Sequence, residues 1–383
     1  MMVSPATVRS WTRDRISWRD PAQVTSQWED AVSVDRRLLQ ARASKGWWSL
    51  LERLAITLVV TREYEHLVVA LSAANGRPRQ SYMVLPHPSG IVADRRRQRL
   101  HIASTRNPNQ IFTLAAASAT AGERRLVPVE TTFYQGSLYL HDLAIIAGRL
   151  YGNAVGQNAI VRLEPNGGFT RVWWPRCIER GGRPEVRRNH IQLNSIAAGL
   201  SLRDSFFSAS STSLDSVRPG HLRYPVNRRG VVFSGRTREP ICGALTRPHS
   251  ARLWRRRLWV ANSGYGELGI VSDGTLEVVR TLPGWTRGLC LIDDIAFVGT
   301  SRVIPKFARY APGLDLARSR CSIHAIAVRS GELVASLEWP QGNQIFGIEW
   351  LPASCVSGFV FDAARSAPAA ATQFFYRYGI NHE

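Results

Sequence analysis

Six residues of the 383-residue chain recur at intervals that a fold could bring together around one point. His87, His141, Asn194, His249, Trp285 and Gln344 stand 54, 53, 55, 36 and 59 residues apart, each at the start of a short apolar run. Imidazoles and amides are poor packing groups, and a ring of them suits three tasks. Neutral imidazoles of His87, His141 and His249 could hold one divalent transition metal ion, with Asp142 as a ligand or as the partner that orients a histidine. Without a metal, His141 or His249 could act as general base while Arg287 clamps an anionic substrate. Asn194, Gln344, Asp142 and Asn262 would then hold the substrate's polar groups. The third task is structural: a hydrogen-bonded plug that seals a channel.

The elements that must carry these residues are strands. From residue 55 to about 351 nearly every segment is an apolar run of four to seven residues bounded by Gly, Pro, Asn, Asp or Arg, such as 100–103, 143–147, 258–261 and 295–298. Many short strands at even spacing indicate an all-β sandwich, barrel or propeller. Repeat intervals near the period of about 40 to 50 residues of a four-stranded blade favour the β-propeller. Six registers predict six blades, with five or seven open. Runs 55–61 and 67–72 are expected to pair with C-terminal strands and close the ring, which removes the sheet edge. Residues 1–54 read as an N-terminal arm and a short helical cap, with helical spacing over 21–39 and again through Trp47, Trp48, Leu51 and Leu54; residues 55–383 read as the propeller with a C-terminal closing segment.

Composition narrows the classes. Of 49 basic residues only Lys45 and Lys306 are lysine, and the net charge is +20. The arginines are spread along the chain rather than gathered on one face with aromatics, so nucleic acid is not the expected partner, while a small anionic molecule is. Cys177, Cys242, Cys290, Cys321 and Cys355 are odd in number, far apart and without a CxxC pair. That excludes a disulfide framework and a cysteine zinc site and fits the cytoplasm. No run is long enough to span a bilayer, and the N-terminus has no signal-peptide core.

Two motifs are read as turns. Gly264-Tyr-Gly266-Glu-Leu-Gly269 matches GxGxxG, but a strand follows where the dinucleotide site needs a helix, so no nucleotide cofactor is expected. The arginine runs 95–99 and 255–257 follow first strands and are expected at the channel end away from the histidines.

The stretches Leu140-His-Asp-Leu-Ala144, Leu193-Asn-Ser-Ile-Ala197, Pro248-His-Ser-Ala-Arg252, Leu258 to Gly269, Leu282-Pro-Gly-Trp-Thr-Arg-Gly288 and Phe297-Val-Gly299 together resemble a family of uncharacterised bacterial proteins with predicted propeller folds. The resemblance implies a propeller with a polar centre and brings no reaction. It also implies a histidine at the position of Gln192 and a carboxylate at the position of Gln344, so this chain has two fewer good metal ligands than the pattern. The expectation from residues and resemblance is an enzyme acting on a small polar anion at the channel mouth, with lyase, isomerase, hydrolase and oxygenase chemistry all open. The alternative is a non-catalytic binding or scaffold propeller with a histidine and amide plug.

Overall fold

Strands, most of four to eight residues and the two longest of eleven, form the body of the protein. The structure is a computed structural model that describes residues 31, 34–105, 109–119, 122–214, 217, 219, 221, 223–364 and 378–380. Its strands build six antiparallel sheets of at least four strands each, arranged as the blades of a propeller. Blades 1 to 5 begin at the axis with Pro88–Asp94, Leu140–Ile146, Leu193–Ala197, Pro248–Trp254 and Trp285–Ile292, and run outward in chain order. Blade 6 closes the ring as expected: Gly347–Pro352 is innermost and pairs antiparallel with Ile56–Arg62, followed by Leu67–Ala74 and Arg77–Val84.

Burial explains the sequence texture. Ile56–Arg62 and Ile295–Ser301 are buried at every position, so they read as unbroken apolar runs. The outermost strand of blade 4, Thr275–Thr281, has no buried position and mixes exposed with half-buried residues. Six hydrophobic clusters fill the six gaps between neighbouring blades. The largest also receives the helix Trp47–Arg53, whose Trp47 ring meets Phe297 edge-on at 5.9 Å. That helix is the expected cap. Of the more N-terminal helical spacing, 36–39 is a single 3-10 turn and residues 21–30 lie outside the described residues. Arg42–Ala43 adds a fifth strand to blade 5, and Tyr378–Ile380 pairs with the third strand of blade 1. Among the described residues no helix is long and apolar enough to cross a membrane.

The mouth of the channel is where the inner strands begin, and there the ladders are irregular. In blades 1 to 5 the pairing of first and second strands breaks register just inside the mouth. A bulge leaves backbone groups without ladder partners, and buried carbonyls need one. Each comes from the preceding blade. Thr61 Oγ1 donates to Ser89 O (2.6 Å), Ser89 Oγ to Leu140 O (3.0 Å) and Asn153 Nδ2 to Leu193 O (2.9 Å). Asn194 Nδ2 donates to Pro248 O (2.8 Å), Ser263 Oγ to Thr286 O (2.6 Å) and Ser301 Oγ to Ile345 O (3.1 Å). All six blade junctions therefore carry a polar side chain that holds the start of a neighbouring inner strand.

Asn153 makes the most of these bonds, because its Oδ1 also accepts the backbone N–H groups of His141 and Asp142. Asn153→Ala is expected to lower stability by about 3 kcal/mol, since it leaves several buried groups unpaired. Exposed Ser330→Ala should change it by less than about 0.5 kcal/mol. Urea unfolding of both variants checks this.

Candidate functional site

The ladder pairs define which residues stand level around the axis. Pro88 lies opposite Ser104, Leu140 opposite Ala154, Leu193 opposite Ala209, Pro248 opposite Asn262 and Thr286 opposite Thr300. The residues immediately after them, Ser89, His141, Asn194, His249 and Arg287, form one ring; in blade 6 Phe346 completes it, its N–H bonded to Thr61 O. The sequence alignment is thus correct for His141, Asn194 and His249 and two residues early for His87, Trp285 and Gln344. A slip of two keeps every side chain on the same face of a strand, so alternation alone cannot detect it.

The ring is not a uniform polar collar. Phe346 sits at the axis with its ring centre 5.4 Å from His141 and 5.6 Å from His249, edge to face with both, and it is 4.5 Å from the Arg287 guanidinium carbon. His141 and His249 lie side by side, centroids 6.1 Å apart. Above this floor opens a cavity of about 590 Å³, within the range of small-molecule sites. His141, Arg287 and Phe346 reach it. Its walls add Tyr139, Gln192, Arg247 and Trp285, then Glu63, Tyr64, Phe307 and Tyr310 further out.

His249 stands behind His141 rather than on the wall. Burial, then the fields of Arg287 and His141, push its pKa well below the ordinary 6.5, so it is neutral at physiological pH. Its Nδ1 is 2.9 Å from Ser250 Oγ, which accepts the Gly288 N–H at 2.8 Å.

Arg247 and Arg287 are the dominant charges, each only 7 % exposed. Arg247 lies over Tyr310 at 4.4 Å and donates from Nη1 to Gln192 Oε1 at 2.6 Å. Burial brings its pKa down to about 10, so it stays charged at neutral pH. Arg287 lies over Trp285 (5.1 Å) as well as Phe346, and its Nε is buried without a hydrogen-bond partner. Burial lowers its pKa too, opposed by the field of Glu63. Among the described residues neither guanidinium has a carboxylate within 4 Å. Glu63, whose carboxylate accepts the Thr105 hydroxyl, is the one acidic residue on the cavity wall among those described.

The other residues expected at the site are elsewhere or otherwise engaged. His87 packs on His66, ring centroids 4.3 Å apart, and does not line the cavity. Asp142 points down the channel, where Arg252 binds it in a two-bond fork (2.8 and 3.1 Å) while the N–H groups of Leu143 and Ile196 donate to it. This correction has a simple cause: a carboxylate buried this deeply needs a cation and donors, and Arg252, three residues after His249 on the inner strand of blade 4, supplies the cation. Asn194 is one of the junction donors, and its Oδ1 is buried without a partner. Gln344 Oε1 accepts Tyr64 N–H at 3.3 Å, which ties it to the rim. Asn262 is turned outward, donating to Glu267 and accepting from Thr246 N–H. His190 is buried on the loop before blade 3, and His324 is a strand histidine 3.1 Å from Thr300 Oγ1.

The donor set tests the metal reading. His141 and His249 are the two imidazoles brought together, Phe346 stands against both, Asp142 is spent on Arg252, and no three metal-ligating side chains cluster among the described residues. Such a set does not fit a transition metal held by three histidines. The GxGxxG run is a 3-10 turn at Ser263–Tyr265, a left-handed Gly266 and a strand, and the arginine turns lie at the far ends of the inner strands. Sequence reasoning missed Phe346, Arg247 and Glu63. Arg247 directly precedes the Pro248-His249 pair and shares the left-handed backbone of His87, Tyr139 and Gln192, so its place before an inner strand was an available signal.

The sequence matches a family described as Domain of unknown function (DUF4915) over residues 45–358. No curated protein matches it. Among solved structures the chain is similar to one in a nidogen/laminin complex, with a TM-score of 0.52 and 7% identity over 78% of this chain and 100% of that one. It is also similar to a protein of unknown function from Bacteroides caccae, with a TM-score of 0.50 and 9% identity over 77% of this chain and 98% of that one. At such identities the similarity shows the fold alone.

The buried histidines generate a pH prediction. Burial also takes His324 down to about 4, so His249 and His324 bind fewer protons folded than unfolded. Their contribution to stability is present above about pH 6.5 and is lost as pH falls toward their folded values. Thermal unfolding should weaken steadily from pH 7 to pH 5, and His324→Asn should make that slope shallower; an unchanged slope would exclude His324 as a source.

Proposed function

The chain belongs to the DUF4915 family, and from the geometry of its channel mouth we propose that it is an enzyme acting on a small anionic molecule bound in the 590 Å³ cavity. The observation that carries this reading is the pair of buried guanidiniums, Arg247 and Arg287, which face the cavity with no carboxylate in ion-pair range among the described residues. Burying an uncompensated charge costs several kcal/mol, and a ligand anion removes that cost. Each guanidinium lies over an aromatic ring, which leaves N–H groups to bind oxygens in a two-bond fork.

His141 is the group placed to move a proton. It is on the cavity wall and backed by the neutral His249. Its backbone is held by Asn153. Phe346 closes the channel beneath the ligand, so bulk water reaches the site from one side only. Tyr139, Gln192 and Asn189 supply polar contacts on the remaining wall. This reading replaces a metal-assisted one, because the donor set here is two imidazoles against an aromatic ring.

Thermal-shift screening against a set of small organic acids, phosphates and lactones, followed by mass detection of products, tests it. Arg287→Gln is expected to remove ligand-induced stabilisation. His141→Ala is expected to keep binding and lower turnover by about 100-fold or more. Prior treatment with a chelator should leave both unchanged. Binding by the wild-type protein with no turnover of any bound compound would make it a binding propeller instead, and stabilisation that persists in Arg287→Gln would move the site elsewhere.

A further inference from the structure

We infer that the ligand of this cavity carries a doubly charged oxyanion group, a phosphomonoester or a pair of carboxylates, rather than a single carboxylate. The inference rests on the anion-site reading above and adds the charge number of the ligand. Arg247 immediately precedes the inner strand of blade 4, and Arg287 belongs to the inner strand of blade 5, the next one round. The two sit at different heights: Arg287 in the floor ring with His141 and Phe346, and Arg247 two residues before the ring residue His249, level with Tyr139 and Gln192. Each is stacked on its own aromatic ring, so neither can swing away to water without exposing that ring.

One carboxylate has two oxygens and satisfies one guanidinium fork. It would leave the second guanidinium buried and unpaired, which is the costly arrangement. A dianion with three or more oxygens reaches both. The charges around the cavity agree. Besides Arg247 and Arg287 on the wall, Lys306 lies over the wall residue Phe307 at 5.0 Å and Arg309 over Tyr310 at 4.6 Å, whereas among the described residues the wall holds one carboxylate, that of Glu63. The outer two, nearer solvent, raise the local concentration of anions and set the salt dependence of capture. The cavity exceeds what an oxyanion head alone would fill. The faces of Tyr64, Phe307, Trp285 and Tyr310 bound the remainder, with Tyr64 and Phe307 stacked at 6.5 Å and Trp285 and Tyr310 at 6.4 Å. A flat body attached to the charged head fits that space.

Calorimetric titration of the full chain with acetate, malonate, inorganic phosphate and phenyl phosphate at one ionic strength tests the inference. The expected result is that a dianion binds about ten-fold or more tightly than acetate, and that Arg247→Gln and Arg287→Gln each lower dianion affinity about ten-fold or more, toward the acetate level. Arg309→Gln should weaken all four anions by a smaller and similar factor. If phenyl phosphate leads, the head is a phosphoryl group; if malonate leads, it is a dicarboxylate. Acetate binding as tightly as the dianions, and lost in Arg287→Gln, would overturn the two-charge inference and leave the anion site standing. No binding of any anion would overturn both, and dianion binding unchanged in both arginine variants would place it outside this cavity. The comparison of anions uses the unsubstituted protein, so it decides the charge number even if a variant fails to fold, which its thermal unfolding would show.

Discussion

Six inner strands that converge on one axis cannot hydrogen-bond to one another around it, and the rest of the molecule follows from that constraint. Where their ladders break at the mouth, the exposed carbonyls are taken by side chains of the preceding blade: Thr61, Ser89, Asn153, Asn194, Ser263 and Ser301. Polar residues near the axis are therefore structural first. The same need shapes the backbone. A Cβ on Gly90 would stand 2.6 Å from the Asp142 backbone, so inner strands of blades 1 and 2 approach closely because one of them has no side chain there. Lower in the channel the Asp142–Arg252 pair joins blades 2 and 4, while the N–H of Ile196 from blade 3 donates to the same carboxylate.

The buried charges differ in how they are matched. Asp142 is matched by Arg252, and Glu65 by Arg62, whereas Arg247 and Arg287 have rings beneath them and, among the described residues, no carboxylate within ion-pair range. Two buried guanidiniums on one cavity wall, with no carboxylate in ion-pair range among the described residues, are a physical signature of a ligand site, since the fold bears a desolvation cost there that a bound anion relieves. Phe346 adds the dry floor that strengthens those charges, and the low-dielectric setting is the same one that holds His249 neutral. Plug and site are thus not exclusive: an aromatic plug closes the axis, and the site rests on top of it.

The amino-acid sequence by itself determined the all-β class, the six repeats, the closure of the ring by the 55–72 strands and the identity of His141, Asn194 and His249 as level residues, because strand length, turn residues and repeat spacing are local properties of the chain. It also determined that Gly264 to Gly269 is a turn, from the strand that follows at once. Tertiary structure alone decided what fills the other three positions of the ring. Ser89, Arg287 and Phe346 differ from His87, Trp285 and Gln344 by two residues, one full strand period, and only the pairing between strands resolves that choice. It alone decided, too, that Asp142 is spent on Arg252, 110 residues away, while Arg287 has no carboxylate in ion-pair range among the described residues. Charge compensation is a property of pairs brought together across blades, and no single run of the sequence contains both members.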